Sequence, residues 1–269
     1  MTTQLEILFK KRSYEAAMAY SKSNDCQIRY GKKLAEKAGV KRGDKILDMG
    51  CGTGELTSFL AEIVGKDGQV VGVDPDFGRI QYAKQKHLSL HSNLVFEHGD
   101  SSTDFFQRNK SYYDVHFSNY VFQCLSPERK EDFGRVAFDS LKYAGKIAIL
   151  SYESHPHVTK QAQEIIFDTP DFFKHDDVDG KIPHFFIKKH EKEALLMKCG
   201  FKILSCDYHP VIYKFTSIID CLNCIATSEY HDGDISSDKI EKLREMCEND
   251  DGNVVYVDPT NCQIVAQKI

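Results

Sequence analysis

Three glycines and two carboxylates, Gly50, Gly52, Gly54, Asp48 and Asp74, are spaced to hold a nucleotide-like ligand against the backbone. Residues 46–54 read Ile-Leu-Asp-Met-Gly-Cys-Gly-Thr-Gly. An apolar run ends in an acid, passes through the glycines with Cys51 between them, and continues into an amphipathic stretch over 55–64. That order is a strand, a tight turn and a helix start. Glycine permits positive φ and has no Cβ to obstruct a ligand. Asp48 places a carboxylate at the carboxyl end of a strand, where open α/β sheets bind ligands. Residues 69–74, Gln-Val-Val-Gly-Val-Asp, form a second apolar run ending in a carboxylate. Asp74 follows the glycines by roughly twenty residues, the separation at which nucleotide-binding βαβ units place their ribose-binding acid.

The glycine spacing discriminates among nucleotides. The pattern is G-x-G-x-G, whereas the dinucleotide fingerprint is G-x-G-x-x-G, and no G-x-x-x-x-G-K-[ST] loop for ATP occurs. Residues 46–54 resemble the first motif of the class I S-adenosylmethionine-dependent methyltransferases, and Val71-Gly-Val-Asp74 resembles their second. The resemblance implies that Gly50 and Gly52 approach the methionine part of S-adenosylmethionine and that Asp74, with Pro75 beside it, holds the ribose. It also implies that Asp100, followed by Ser101, binds the adenine amino group, and that Ser118 and Tyr120 lie beside the reacting methyl. Asp100 also suits a helix N-cap, a lesser reading that is compatible with the first.

On the acceptor side the candidates are Gln27, Tyr120, Gln123 and His155. Methyl transfer from a sulfonium is a direct displacement, so the enzyme chiefly supplies proximity and orientation. A general base is needed only for a weak nucleophile such as a hydroxyl. The stretch Tyr20–Gln27, together with the region after the fourth strand, resembles the insect juvenile hormone acid methyltransferase branch. A glutamine there contacts the substrate side, which points to Gln27. That branch carries a His-Trp pair after strand four, where this chain has Gln123-Cys124, a departure from its acid-substrate pattern. His155 and His157 follow the fifth strand and are base candidates. Without a third ligand they do not make a metal site.

Composition narrows the partners. The 269-residue chain is 41% hydrophobic, with a net charge of −5, 17 Phe, 13 Tyr and no Trp. The acidic balance argues against a nucleic-acid backbone as partner. No apolar leader or long apolar span occurs, so a cytoplasmic protein without membrane insertion is expected. The nine cysteines are odd in number and scattered, which suggests reduced thiols. Cys221 and Cys224 form the one C-x-x-C, inside an expected helix, and read as buried core thiols.

Around the motifs, the periodicity predicts helices over 4–38 (broken near 21–25, with Asp25 as N-cap), 55–64, 77–87, 127–141, 159–167, 191–199, 215–225 and 237–247. It predicts strands at 45–49, 69–74, 93–98, 113–118, 146–151, 201–206, 253–257 and 262–267. The alternation implies an α/β fold, a Rossmann-like doubly wound seven-stranded sheet, its last strand antiparallel, with helical cap insertions. The methyltransferase resemblance covers about residues 40–151 firmly and 200–269 loosely. A single domain over 1–269 is expected, with an N-terminal helical lid at 1–40 and cap insertions at 155–198 and 207–250. The implied activity is transfer of a methyl group from S-adenosylmethionine to a small molecule, at oxygen (carboxylate or hydroxyl) or nitrogen. Competing readings are a catalytically silent cofactor-binding subunit and a methyltransferase acting on protein. An arsenic methyltransferase would need converging thiols, and a nicotinamide dehydrogenase a different glycine spacing.

Overall fold

The structure is a computed structural model describing residues 13–101, 109–166, 168, 184–229 and 235–269. Its strands are β1 (Lys45–Met49), β2 (Gln69–Asp74), β3 (Leu94–His98), β4 (Tyr113–Asn119), β5 (Leu141–Ser151), β6 (Phe201–Tyr208), β7 (Val211–Phe215), β8 (Val254–Asp258) and β9 (Cys262–Lys268). Its helices are α1 (Tyr14–Tyr20), α2 (Asp25–Ala38), α3 (Glu55–Val64), α4 (Phe77–His87), α5 (Pro127–Ser140), α6 (His157–Ile166), α7 (Lys189–Lys198), α8 (Ile218–Glu229) and α9 (Ser237–Cys247). The aromatic pair Phe172-Phe173 and much of the expected 155–198 cap lie outside the described residues.

Seven strands form one sheet in the order β3-β2-β1-β4-β5-β9-β6. β3, β2, β1, β4 and β5 pair in parallel. β9 runs antiparallel to both β5 and β6, so the antiparallel last strand sits inside the sheet, next to its edge. Side chains alternate across the strands. Ile46, Val70, Val115 and Phe117 form one core with Leu34 of α2, Leu60 of α3 and Ile80 of α4. Leu47, Val71, Ile147 and Ile149 form the other with Phe133 and Val136 of α5 and Leu196 of α7. A parallel sheet covered on both faces needs such uninterrupted apolar runs.

Three expectations shift here. Val211–Phe215 is a strand, where the helix was expected to begin at Phe215; its side chains alternate in burial, and α8 starts at Ile218. The strand expected at 253–257 does form, as β8, but pairs with β7 in a separate two-stranded antiparallel sheet. Asp25 is the first residue of α2, not its N-cap. Asn24 precedes the helix and turns its side chain to Thr53 and Glu55, a tertiary hydrogen-bond set in place of a cap.

Ala162 of α6, Cys221 and Leu222 of α8, Leu243 of α9 and Val254 of β8 bury one another in a third cluster. The cap thus has a small core of its own. No helix among the described residues is long and apolar enough to cross a membrane. Leu222 is fully buried in the cap cluster. Leu222→Ala should cost about 2–5 kcal/mol there. Hydrogen exchange should show faster opening over 218–247 and unchanged protection in β1 and β4; equal loss throughout would make the cap and sheet one cooperative unit.

Candidate active site

β1 is flanked by β2 on one side and β4 on the other, and the chain winds outward in both directions from there. A crevice opens beyond the carboxyl ends of the strands at such a reversal. Here the turn after β1 forms its floor and the start of α2 its roof. Asp48, Gly50, Cys51 and Gly52 line it from below, and Tyr20, Asn24 and Gln27 from above.

The three glycines have different reasons. Gly50 has φ +85°, and a Cβ there would lie 2.1 Å from Val121 Cγ2. Gly54 has φ +88°, and a Cβ would meet Phe96 Cζ at 2.7 Å and Ala83 Cβ at 2.9 Å. Both are fixed by packing as well as by backbone conformation. At Gly52 the nearest atom to a Cβ is Tyr20 Cε1, at 3.8 Å. Gly52 therefore keeps the space between turn and roof open.

Both expected carboxylates are nearly inaccessible to solvent. Asp48 accepts a hydrogen bond from the Thr57 hydroxyl at 2.7 Å, and burial pushes its pKa up to about 7. Asp74 accepts from the backbone N–H of Gly52 at 2.9 Å and of Asp76 at 2.8 Å. Burial raises its pKa too, opposed by Arg79 and by those two N–H donors. Arg79, in the first turn of α4, lies over the Tyr20 ring at 4.3 Å from its centroid. The Tyr20 phenol is pushed up to about 12, chiefly by burial.

The roof is tied down through Asn24, whose amide donates to Thr53 Oγ1 at 3.1 Å and Glu55 Oε2 at 3.0 Å. Asn119, at the end of β4, donates to the Gln27 carbonyl at 3.0 Å. After these bonds, the side-chain oxygens of Asn24, Gln27 and Asn119 are buried without a hydrogen-bond partner.

The other expected site residues divide. Ser118 is fully buried in β4, its hydroxyl donating to the Met49 carbonyl at 3.1 Å, so it joins β4 to β1. Pro75 is exposed beside Asp74. Asp100 forms an ion pair with Arg129 at 2.8 Å, and Ser101 next to it is buried. Tyr120 has φ +58°, left-handed backbone that a tyrosine seldom adopts. Gln123 donates to the Tyr120 carbonyl at 2.8 Å, stabilising that turn. His155 is buried beyond the crevice, among Tyr152, His184 and Phe186. Among the described residues no group of His, Cys, Asp and Glu is placed to hold a metal ion, and Cys221 and Cys224 are buried in α8.

Sequence reasoning did not single out Thr53, Glu55 or Arg79. Arg79 was accessible in principle, because it sits one turn past a strand-end acid and the Asp76 side chain that caps α4. Glu55 was hidden by its role as an ordinary first-turn residue.

Two stability effects follow. Gly54→Ala adds a methyl against Phe96 and Ala83 at positive φ. It should lower stability by about 1–3 kcal/mol in urea unfolding. Asp48 has a folded pKa near 7 against an ordinary 3.8, so the folded state holds more protons between those values. Stability from this group is present at low pH and lost as pH rises from about 4 to about 7, by up to about 4 kcal/mol. Asp48→Asn should remove that slope from the urea midpoint measured against pH; an identical slope would mean that Asp48 is ionised throughout.

Comparison with known proteins bears on the family and the fold. Residues 46–145 match a family described as a methyltransferase domain. The chain is 33% identical over 125 residues to phosphoethanolamine N-methyltransferase 1 of Arabidopsis thaliana, covering 46% of this chain and 24% of that protein. It is 35% identical over 82 residues to demethylmenaquinone methyltransferase of Staphylococcus aureus, covering 30% of this chain and 34% of that one. The matched region thus spans only about a quarter to a third of those relatives' length. A SAM-dependent methyltransferase from Aquifex aeolicus superposes with a TM-score of 0.55 at 15% identity, covering 94% of this chain and 98% of that one, a likeness of fold. These matches do not reach the juvenile hormone branch.

Proposed function

We propose, for a chain that carries the domain and fold of the class I S-adenosylmethionine-dependent methyltransferases, that the crevice under α2 binds S-adenosylmethionine. The chain then transfers the methyl group to a small-molecule acceptor at oxygen or nitrogen. The observation that carries this reading is the excess of hydrogen-bond acceptors in the crevice. Three unpartnered amide oxygens, on Asn24, Gln27 and Asn119, surround a floor that includes the buried Asp48, while the buried Asp74 holds the Gly52 N–H from outside the lining. Arg79 is the one cation among the described lining residues. Buried unpaired acceptors are costly, and a cationic ligand with N–H and O–H donors relieves that cost.

S-adenosylmethionine fits this donor set, with an ammonium and ribose hydroxyls to donate and a sulfonium whose methyl carbon is electrophilic. Asp74 is the residue to accept from the ribose, since each carboxylate oxygen can take a second hydrogen bond. Asp48, Gln27 and Asn119 favour the cationic end. Arg79 is the donor for the carboxylate. The roof keeps water from the turn, and Tyr20 closes the space that Gly52 leaves open. Catalysis here rests on holding two reactants in line, so the residues' work is orientation.

Asp74 has a structural task as well. Asp74→Ala would strand the Gly52 and Asp76 N–H groups and so disturb the turn itself. Asp74→Asn retains the shape and one acceptor. Calorimetric titration should show S-adenosylmethionine binding to the native chain and at least about tenfold weaker binding to Asp74→Asn. Gly52→Ala should likewise weaken binding, because its methyl enters the crevice. Absence of any binding to the native chain would overturn the proposal; equal binding to both variants would place the ribose elsewhere.

Bringing a cation beside Asp48 ionises it. Below pH 7 binding should therefore release a proton, and affinity should rise by up to about tenfold per pH unit between pH 5 and 7. Titration in two buffers of different ionisation enthalpy reads that proton directly. No proton release at pH 6 would show that Asp48 stays neutral beside the ligand.

A further inference from the structure

Lys130 and Lys192 are the fully buried lysines among the described residues. Lysine is rarely buried without a paired acid. Lys192, in α7, has one in Glu153. Lys130, near the start of α5, pairs with no acid among the described residues. Its ammonium donates instead to two backbone carbonyls, those of Leu125 and Phe185, the second at 2.7 Å. The rings of Phe122 and Phe185 lie beside it, with centroids at 5.4 and 5.7 Å. Burial pulls its pKa down to about 8; the Cys124 thiol opposes that shift and the like charge of Lys192 adds to it.

The two carbonyls belong to different parts of the molecule. Leu125 ends the turn that follows β4, and Phe185 lies on the stretch 184–188 that leads into α7. The Phe185 N–H also donates to the Gln123 carbonyl at 2.7 Å, so this stretch is held to the turn twice, once directly and once through Lys130. The turn in its own right reaches the crevice at two points. Asn119, at its start, lines the crevice and donates to the Gln27 carbonyl in the roof. Val121 lies against the floor, since a Cβ on Gly50 would be 2.1 Å from Val121 Cγ2. Gln123 bonds back to the Tyr120 carbonyl between those contacts and Phe185. A shift of Leu125 or Phe185 therefore reaches floor and roof through residues in direct contact.

We propose that Lys130 is a positioning residue for the transfer reaction: it pins the stretch 184–187 to the turn after β4 and so fixes the Asn119–Val121 side of the crevice. An apolar side chain of the same length would fill the space and leave two carbonyls unpaired. A long chain ending in N–H donors satisfies both. The donors do the holding, and the buried charge opposes it. When the contact opens, the ammonium returns to water and to its ordinary pKa. The closed form binds the proton less tightly than the open form, so it gains as pH rises past about 8. The titratable groups that act on the ammonium are Cys124 from the turn and Lys192 from α7.

The inference rests on the methyltransferase reading, and two measurements separate their failures. Calorimetric titration at pH 7 compares S-adenosylmethionine binding to the native, Lys130→Met and Lys130→Arg chains. Lys130→Met should bind about threefold to thirtyfold more weakly, and Lys130→Arg, which keeps the donors, should stay within about twofold of native. Quench-flow hydrogen exchange, corrected for the intrinsic rate, reads the contact itself. In the native chain, protection over 122–125 and 184–187 should rise by up to about tenfold between pH 7 and 9, while that over 237–247 stays level. Cys124→Ser should keep the rise and Lys130→Met should lose it. The native-chain exchange needs no variant, so it decides even where Lys130→Met fails to fold. Equal donor affinity in all three chains would overturn the inference, as would equal weakening in both variants or native protection that does not rise. Any of these with native donor binding intact sinks this inference alone; no donor binding by the native chain sinks the methyltransferase reading with it.

Discussion

Two carboxylates with almost no water around them set the terms for the rest of the molecule. Asp48 and Asp74 lie at the carboxyl ends of neighbouring parallel strands; burial raises the cost of ionising both, and the Asp74 charge adds to it at Asp48. Desolvated charge is tolerated only where donors are fixed in place. The Gly52 and Asp76 N–H groups and the Thr57 hydroxyl are those donors. The glycine turn therefore has its shape partly because Asp74 holds it. A site in which acids organise the backbone and still want positive charge is prepared for a cation.

The roof follows from the same constraint. Helix α2 has a buried face, Tyr30, Leu34, Ala35 and Ala38, that docks on the sheet. Docking brings Asn24 and Gln27 over the turn, and their amides satisfy some neighbours and leave their own oxygens unpaired. Two anchors keep α2 there: the Asn24 set at its start, and Tyr30 in its second turn, which accepts from the Ile212 N–H at 3.2 Å. The second of these also fixes the β7–β8 sheet beside the roof. One helix thereby lies between the crevice and the β7–β8 sheet.

Much of this was legible in the residues. Strand-end acids and glycines are read by local rules of backbone geometry, and Asp48, Gly50, Cys51 and Gly52 come together along the crevice. The parallel strands were visible because a sheet buried on both faces demands unbroken apolar runs. The β7 strand was harder. Val211–Phe215 is short, follows directly on β6, and its partner β8 comes about forty residues later. Ser118 shows the opposite error, a residue in a suggestive position whose hydroxyl is consumed by the neighbouring strand.

The sequence by itself determined the nature of the ligand-binding turn, since glycine conformation, strand termination and acid placement depend on neighbours within about thirty residues. Tertiary structure alone decided which glycine borders the crevice, which acids are desolvated, and that the rings of residues 120 and 152, and of 213 and 256, meet in pairs. Those facts depend on desolvation and on contacts across long stretches of chain. Neither desolvation nor long-range contact leaves a periodic mark in the residues.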